Sequence, residues 1–273
     1  MIVSVSRRCD IPRFQFDWFM ERLDAGFVDV HNPFNHKQVR RVSLVPGTML
    51  PDGNTDGVEA FVFWTRDPRN ILARAGELER RGFRFYVMVT VTGYPGSLEP
   101  NMTETSEVCA SMKELAQITG PKRVIWRYDP VFLSSITGEE FHKRNFNELA
   151  LKLSGSVERV IISLYDEYRP AKKRIEAMGL DTGVSYTGAM FSSMAESARK
   201  AGMEIMSCAE KTDLSPFGIR PGACIDSELI NELWGLELSG RDKNQRPNCL
   251  CSKSVDIGRY GICTAGCKYC YAC

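Results

Sequence analysis

Short apolar runs alternate with helix-like segments along most of the chain, and this alternation restricts the fold more than any other feature of the sequence. Runs rich in β-branched and aromatic residues lie at residues 2–6, 60–65, 83–92, 123–128, 159–164 and 204–208. Segments with helical periodicity lie at residues 16–25, 70–81, 104–118, 139–153 and 191–201. The apolar runs lack the alternation of a sheet with one wet face, so they predict a parallel sheet buried on both faces.

This order of elements predicts an α/β protein with a TIM-like (β/α) barrel, partial or complete, and a doubly wound open sheet is the alternative. Residues 31–55 are rich in Pro and Gly, which predicts a loop. From about residue 213 the pattern changes to short pieces rich in Gly, Pro and Cys. We therefore expect a barrel core at residues 1–212 and a cysteine-rich extension at residues 213–273, packed on one mouth of the barrel.

Charge and hydropathy exclude several classes of partner. The formal net charge is +1, from 35 basic and 34 acidic residues, so no overall field attracts nucleic acid or an anionic membrane. The N-terminal residues do not have the pattern of a signal peptide, and no apolar stretch reaches the roughly 18 residues that a membrane helix needs. We expect a cytoplasmic protein without a membrane partner.

Polar side chains follow most of the predicted strands. Arg7 and Arg8 follow the first run, Thr65 ends the second, and Arg127 and Asp129 end the fourth. Ligands bind at the carboxyl ends of strands in parallel β/α folds. A guanidinium binds carboxylates in a bidentate manner and a carboxylate can accept from two ribose hydroxyls, so these residues are candidate substrate or cofactor contacts. An internal ion pair between Arg127 and Asp129 is the alternative.

The ten cysteines are distributed unevenly, because eight of them lie at residue 208 or beyond. Thiols stay reduced in the cytosol, so such clustering indicates metal binding rather than disulfides. Cys263, Cys267 and Cys270 have C-x3-C-x2-C spacing. Three thiolates ligate three irons of a [4Fe–4S] cluster and leave the fourth open, where S-adenosylmethionine can chelate through its amino and carboxylate groups. The alternative is a zinc site that combines Cys267 and Cys270 with Cys249 and Cys251.

A second set of cysteines remains, consisting of Cys208, Cys224, Cys249 and Cys251. Four thiolates close a [4Fe–4S] or [2Fe–2S] cluster completely, so we expect an auxiliary iron–sulfur cluster here. Zinc and buried free thiols are the alternatives. Residues 243–246 form a polar loop just before Cys249 and Cys251. The side chains of this loop either hydrogen-bond cluster sulfurs or are exposed to solvent.

The cysteine spacing, with Tyr269 before the last cysteine, is similar to the signature of radical S-adenosylmethionine enzymes. The string Cys-Lys-Tyr-Cys-Tyr-Ala resembles its version in the spore photoproduct lyase branch. The whole chain resembles the domain of unknown function 1848 family. The matching positions are residues 6–8, 10–12, 63–65, 90–94, 99–100, 126–130, 208–210, 224–226, 243–247, 254–258 and the cysteine tail.

The resemblance implies a radical-enzyme-like barrel and an oxygen-sensitive cluster, but no established reaction. Most radical S-adenosylmethionine enzymes carry the motif after the first strand, so its C-terminal position implies a circular permutation, with residues 255–258 as the strand that leads to the cluster loop. Cys9 stands where the family tends to have threonine, and Cys273 is peculiar to this sequence. Neither is expected to be an essential ligand.

We expect a radical S-adenosylmethionine enzyme that takes an unidentified small-molecule or nucleotide-type substrate and a reductant such as flavodoxin or ferredoxin. The expected cofactor contacts are Thr65, Glu210 and Tyr269. Glu210 is included because it points to the same side of a continued strand as Cys208. His142 lies in a charged helical segment and is expected to be exposed. The alternatives are a non-catalytic iron–sulfur redox protein and a zinc-stapled binding module or hydrolase.

Overall fold

The computed structural model describes residues 1–33, 35, 37–49, 55–183 and 185–272. The strands are β1 (Ile2–Val5), β2 (Phe27–His31), β3 (Val39–Ser43), β4 (Thr48–Met49), β5 (Thr55–Asp56), β6 (Ala60–Thr65), β7 (Phe85–Thr90), β8 (Val124–Val131), β9 (Arg159–Leu164), β10 (Glu204–Cys208), β11 (Arg220–Gly222) and β12 (Ser254–Asp256). The helices are α1 (Ile11–Phe14), α2 (Phe16–Ala25), α3 (Arg69–Arg80), α4 (Thr105–Thr119), α5 (Glu139–Leu153), α6 (Arg169–Ala177), α7 (Gly188–Lys200) and α8 (Ser227–Trp234).

Eight of these strands form one parallel sheet, in the order β11-β10-β9-β8-β7-β6-β1-β12. The predicted α/β class is confirmed. A complete barrel is not found, because β11 and β12 are the two edges of an open sheet within the described residues. The alternative of a doubly wound sheet is not supported either, since the strand order from β1 to β11 never reverses direction.

The two faces of the sheet are covered differently. Helices α2, α3, α4, α5 and α7 share one apolar core with β1, β6, β7, β8 and β9, and Phe19, Phe63, Trp126 and Phe146 are among its fully buried side chains. Right-handed crossovers that always step in the same direction place their helices on the same face. The opposite face packs against α8 and the second set of cysteines. No helix in the described ranges is both long and apolar enough to span a membrane.

Residues 31–55 were predicted to form a loop, and this prediction is wrong for part of the segment. Strands β2 and β3 pair antiparallel, with Val28 opposite Val42. Both valines are buried, so the hairpin covers an edge of the core that the Pro and Gly content of the segment concealed. Residues 50–54 lie outside the described residues.

The last strand of the chain pairs with the first. Strand β12 is parallel to β1, with Ile2 opposite Ser254 and Ser4 opposite Asp256. Residues 213–273 therefore supply both edge strands of the sheet, β11 and β12, as well as the cysteine loops. This pairing brings the loop after β12 to the carboxyl end of β1.

The buried carboxylate of Asp256 fixes this pairing through four hydrogen bonds. Its oxygens accept from the hydroxyls of Ser4 at 2.9 Å and Ser6 at 2.5 Å, from the backbone N–H of Arg7 at 2.8 Å and from that of Gly258 at 3.0 Å. Asp256 thus connects β12 to the turn that follows β1.

Gly258 gives the first prediction, because a side chain does not fit there. A Cβ atom at this position would lie 2.0 Å from Ser6 Oγ and 2.8 Å from Cys9 Sγ. Gly258→Ala must displace Ser6 from Asp256, and we expect it to lower the free energy of unfolding by about 1–3 kcal/mol. Urea denaturation measures this, with Gly96→Ala as the control, because a Cβ atom at Gly96 would meet nothing within 4 Å. Equal stability of the two variants would contradict the prediction.

His142 was expected to be exposed, and this expectation is wrong. Its ring is fully buried, with Nδ1 2.8 Å from Tyr128 Oη and Nε2 3.0 Å from the carbonyl oxygen of Phe132. A carbonyl can only accept, so Nε2 carries the proton and Nδ1 accepts from Tyr128. Burial lowers the pKa of His142 from 6.5 to about 4. The charged helix presents this one polar residue to the core.

This buried histidine predicts a loss of stability in acid. Between pH 6.5 and 4 the unfolded chain binds a proton at His142 that the folded protein does not, so folding becomes less favourable as the pH falls. The contribution is about 3 kcal/mol. We expect the free energy of unfolding to fall less between pH 7.5 and pH 4.5 in His142→Gln than in the unchanged protein. The prediction fails if both lose the same amount in denaturation at the two pH values.

Candidate metal and cofactor site

A cavity of about 720 Å³ opens at the carboxyl ends of the strands of the central sheet. It is lined by the five predicted strand-end residues, which are Arg7, Arg8, Thr65, Arg127 and Asp129. Both predicted sets of cysteines line it as well, namely Cys263, Cys267 and Cys270 together with Cys208, Cys224, Cys249 and Cys251. The fold therefore brings the separate sequence predictions to a single place.

The loop with C-x3-C-x2-C spacing is held by backbone contacts to its neighbours. The N–H of Lys268 donates to the carbonyl of Leu98 at 2.9 Å, and Arg174 Nε donates to the carbonyl of Lys268 at 3.0 Å. Burial is the main reason that the pKa of Cys267 is raised to about 11; Glu99, Cys270 and Cys263 contribute to the rise, and Arg66 opposes it. A bound cation would stabilise the thiolate of such a buried cysteine.

Tyr269 of this loop is anchored by a buried network of charged groups. Its hydroxyl donates to the carboxylate of Glu99 and accepts from Arg66, while Arg66 Nη1 donates to Glu99 at 2.8 Å. The Thr92 hydroxyl donates to the same Glu99 oxygen at 2.6 Å. Burial alone would lower the pKa of Arg66, but Glu99 raises it well above its ordinary value. The Tyr269 hydroxyl is thus engaged with the protein, and its ring packs against Tyr94 at 5.8 Å between centroids.

The second set of cysteines is compact and buried. The sulfur atoms of Cys208, Cys224 and Cys251 all lie within 4.8 Å of one another. Cys249 forms S–H hydrogen bonds with Cys208 and Cys251. The backbone N–H of Ile225 donates to the sulfur of Cys251 at 3.4 Å. Three sulfurs from three segments of the chain therefore converge on one point, and the sulfur of Cys249 lies outside this group but beside two of its members.

Mutual hydrogen bonds polarise this set. The pKa of Cys251 is well below its ordinary value, because Cys208, Cys224 and Cys249 all donate to its sulfur. The pKa of Cys249 is raised, first by its hydrogen bond with Cys208 and then by that with Cys251. The set thus favours one thiolate, Cys251, that accepts from three thiols, and a bound cation would ionise the other three.

Two arginines lie beside these sulfurs. The positive charge of Arg127 favours the thiolate of Cys224, and the thiolates of Cys224 and Cys251 favour the charged form of Arg7. The guanidinium carbons of Arg127 and Arg7 lie 4.7 Å and 6.0 Å from the centre of the Trp64 ring. The sulfur set thus has a positively charged wall.

Three buried polar atoms on residues that line the cavity have no hydrogen-bond partner in the described part of the chain. They are Trp64 Nε1, Arg127 Nε and Tyr165 Oη. Arg127 forms an ion pair with Asp129 through its other end, as the alternative interpretation of the sequence expected. An unsatisfied buried donor costs about 1–3 kcal/mol, so these atoms point to a bound group.

The remaining predicted contacts have structural partners. The Thr65 hydroxyl donates to the carbonyl of Asp67 at 2.9 Å. Glu210 does not line the cavity, and its carboxylate accepts from the N–H of Leu164 at 2.9 Å at the end of β9. Arg8 Nη1 donates to the carbonyl of Gly258 at 3.3 Å and its guanidinium stacks on Tyr260. These contacts support the rim of the cavity.

In the polar loop of residues 243–246, and likewise among the isolated cysteines, some residues line the cavity and others do not. Asn244, Gln245 and Arg246 line the cavity, whereas Lys243 is exposed and does not. Cys9 lies in the cavity wall near Cys263, and burial raises its pKa to about 11. Cys109 is buried in α4 within the helix-covered core. Cys273 lies outside the described residues.

Reasoning from the sequence missed the two acidic residues that organise the site, Glu99 and Asp256. Neither belongs to a local motif of metal or nucleotide binding, and their partners lie 170 and 250 residues away in sequence. The available signals were weak, since Asp256 lies between the β-branched residues Val255 and Ile257 and Glu99 precedes a proline.

The chain matches the family described as Domain of unknown function (DUF1848) over residues 2–272 and belongs to this family. No curated protein matches its sequence.

The buried network of Arg66, Glu99 and Tyr269 predicts that two Glu→Gln substitutions lower the free energy of unfolding by different amounts. Glu99→Gln leaves the buried Arg66 guanidinium without a counter-ion, and we expect it to lower the free energy of unfolding by about 3 kcal/mol. Glu107→Gln is the matched control, because Glu107 pairs with Arg69 at 3.4 Å on the surface and should cost less than about 1 kcal/mol. Urea denaturation of both variants tests this, and a control that is as costly as Glu99→Gln would argue against the network.

Proposed function

We propose that this DUF1848 protein is a radical S-adenosylmethionine enzyme whose [4Fe–4S] cluster is bound by Cys263, Cys267 and Cys270. The observation that carries the proposal is that these three cysteines line the same cavity as the polar strand ends and the unpaired buried donors. A cluster with three cysteine ligands has one iron that is open to a further ligand. That iron would face a cavity rather than bulk solvent.

A [4Fe–4S] cluster held by Cys263, Cys267 and Cys270 would supply one electron for the reductive cleavage of a carbon–sulfur bond of S-adenosylmethionine, which gives methionine and a 5′-deoxyadenosyl radical. The protein's task is then to orient the cofactor and a substrate C–H bond and to exclude water.

The fold proposed for this function is a partial barrel with circularly permuted strands. Strand β12 precedes the cysteine loop and lies beside β1, and from β1 onward each strand of the sheet follows the previous one in chain order. If the chain were read from β12, the cysteine motif would follow the first strand, as it does in most radical S-adenosylmethionine enzymes. Helices on one face of a sheet whose order never reverses are typical of barrels.

The residues around the cavity support a polar or anionic ligand. Arg127 and Asp129 form a pair that can bind a carboxylate at one end and ribose hydroxyls at the other. Arg7 and Arg8 lie 3.8 Å and 3.9 Å from the oxygens of Asp256, which fixes two positive charges at the rim without neutralising both. The cavity volume lies in the range of small-molecule sites, which suits S-adenosylmethionine with a small or nucleotide-type substrate.

Of the three cofactor contacts expected from the sequence, two line the cavity and one does not. Tyr269 and Thr65 line the cavity with engaged hydroxyls, so they would contact a cofactor through the ring and the methyl group. Glu210 acts as a support for β9. A reductant such as flavodoxin or ferredoxin would supply the electron, and its approach to Cys263 and Cys270 is aided by their partial exposure.

The proposal is tested on protein purified without oxygen. We expect about four irons and four sulfides bound through Cys263, Cys267 and Cys270. With dithionite and S-adenosylmethionine, the protein should release 5′-deoxyadenosine and methionine, measured by chromatography. Cys263→Ala/Cys267→Ala/Cys270→Ala should lose these irons and reduce cleavage to the level of a protein-free control.

Two further variants make the result specific. Cys109→Ala removes a cysteine of the helix-covered core and should keep both iron and cleavage. Cys9→Ala tests whether the thiol near Cys263 closes the cluster, and the proposal requires iron to be retained. Cleavage that survives in the triple variant would refute the assignment. A full iron content without any cleavage would favour the alternative of a non-catalytic redox protein.

A further inference from the structure

The compactness of the second cysteine set limits what it can bind. Three of its sulfur atoms, those of Cys208, Cys224 and Cys251, lie within 4.8 Å of one another. The fourth cysteine, Cys249, is hydrogen-bonded to two of them. Such spacing can be compared with the spacing that each candidate metal group imposes on its ligands.

A single tetrahedral ion with metal–sulfur bonds of about 2.3 Å holds its sulfur ligands about 3.8 Å apart. In a four-iron cluster each thiolate binds a different iron, so a metal–metal separation is added and the thiolates lie much farther apart. In a two-iron cluster only two thiolates share an iron, and the third is again distant. Three sulfurs that are all mutually close therefore fit one metal ion.

We propose that Cys208, Cys224, Cys249 and Cys251 bind a single tetrahedral zinc ion, in place of the auxiliary iron–sulfur cluster that the sequence alone predicted. Four thiolates in a tetrahedron are a preferred environment for zinc. All four residues are buried, and the four ligands leave no open coordination position. The site is therefore structural rather than catalytic.

Charge and hydrogen bonding around the set supply independent support. A zinc ion with four thiolates has a net charge of about −2, which is costly to bury without compensation. Arg127 and Arg7 line the same cavity as these sulfurs, and their positive charges would offset part of this charge. The guanidinium carbons of both lie over the ring of Trp64, at 4.7 Å and 6.0 Å from its centre, and Trp64 packs in the same apolar cluster as all four cysteines. The backbone N–H of Ile225 donates to the sulfur of Cys251 at 3.4 Å.

The zinc ion would connect three segments that are distant in sequence. Cys208 ends β10, Cys224 follows β11, and Cys249 and Cys251 lie in the loop before β12. These segments cover the face of the sheet opposite the helix-covered core, and they form one wall of the cavity. The ion thus fixes the loop that leads into β12 against the opposite edge of the open sheet.

This inference is independent of the proposed function, and one variant separates the two. Cys263→Ala/Cys267→Ala/Cys270→Ala, purified as the full chain without oxygen, keeps only the second set. We expect about one zinc per chain and no sulfide, measured by mass spectrometry of metals and by sulfide assay. X-ray absorption at the zinc edge should show a single sulfur shell near about 2.3 Å without metal–metal scattering.

The reciprocal variants remove the second set in the otherwise unchanged chain. Cys251→Ala, and Cys224→Ser in case the first does not fold, should lose the zinc, while Cys109→Ala keeps it. Four irons with sulfide in the triple variant would overturn the proposal in favour of an auxiliary cluster. A single iron would overturn the choice of zinc, and an absence of metal would show that the thiols are free. If the first cluster is wrong, the unchanged protein lacks iron and cofactor cleavage but still contains the zinc.

Discussion

The pairing of the last strand with the first, held by the carboxylate of Asp256, is the constraint on which the rest of the structure depends. Without β12 the sheet would end at β1, and the loop with Cys263, Cys267 and Cys270 would not begin beside the carboxyl end of β1. Asp256 accepts from Ser4, Ser6 and two backbone N–H groups, so it fixes strand register and loop entry together. Its partners come from both ends of the chain, which makes the site a property of the complete fold.

Two sets of cysteines line one cavity. One set comes from a single loop and the other from three separate segments of the chain, and this difference suits different roles. One set lies in a single loop and supplies three ligands, which favours an incomplete and reactive centre. The other collects four sulfurs from three segments and is surrounded by Arg7, Arg127 and Trp64. The zinc ion proposed for this set would make that wall of the cavity rigid. Reactive and structural metal chemistry would thus be adjacent but separately held.

The sequence predicted most of the sheet because buried parallel strands are marked by continuous apolar runs, and β6, β9 and β10 have the bounds expected from those runs. The α2 and α5 helices also begin and end as predicted, since their apolar periodicity is strong. The hairpin of β2 and β3 was missed because its strands mix apolar and polar residues and because proline residues lie next to them. His142 was misjudged because a single buried polar residue on a charged helix leaves no periodic signal.

Site geometry could be anticipated at the strand ends but not in its detail. The polar residues there converge as parallel strands require, whereas the Arg66–Glu99–Tyr269 network depends on contacts across 170 residues of sequence. The grouping of Cys208, Cys224 and Cys251 was expected from the sequence, but the short distances between their sulfurs were not, because spacing along the chain does not give distance in space. The order of the strands in the sheet, rather than the amino-acid composition, decides which cysteine thiols lie close together.

The dependence of β1 on β12 also has a consequence for biosynthesis. Strand β1 is synthesised before β6 and pairs with it, but its other edge stays unpaired until residues 254–256 have been made. An unpaired edge strand is a template for wrong pairing, so the growing chain carries an unprotected edge until β12 has formed. The loop with Cys263, Cys267 and Cys270 follows β12 in the chain, so this loop reaches its position in the fold only when the sheet is complete.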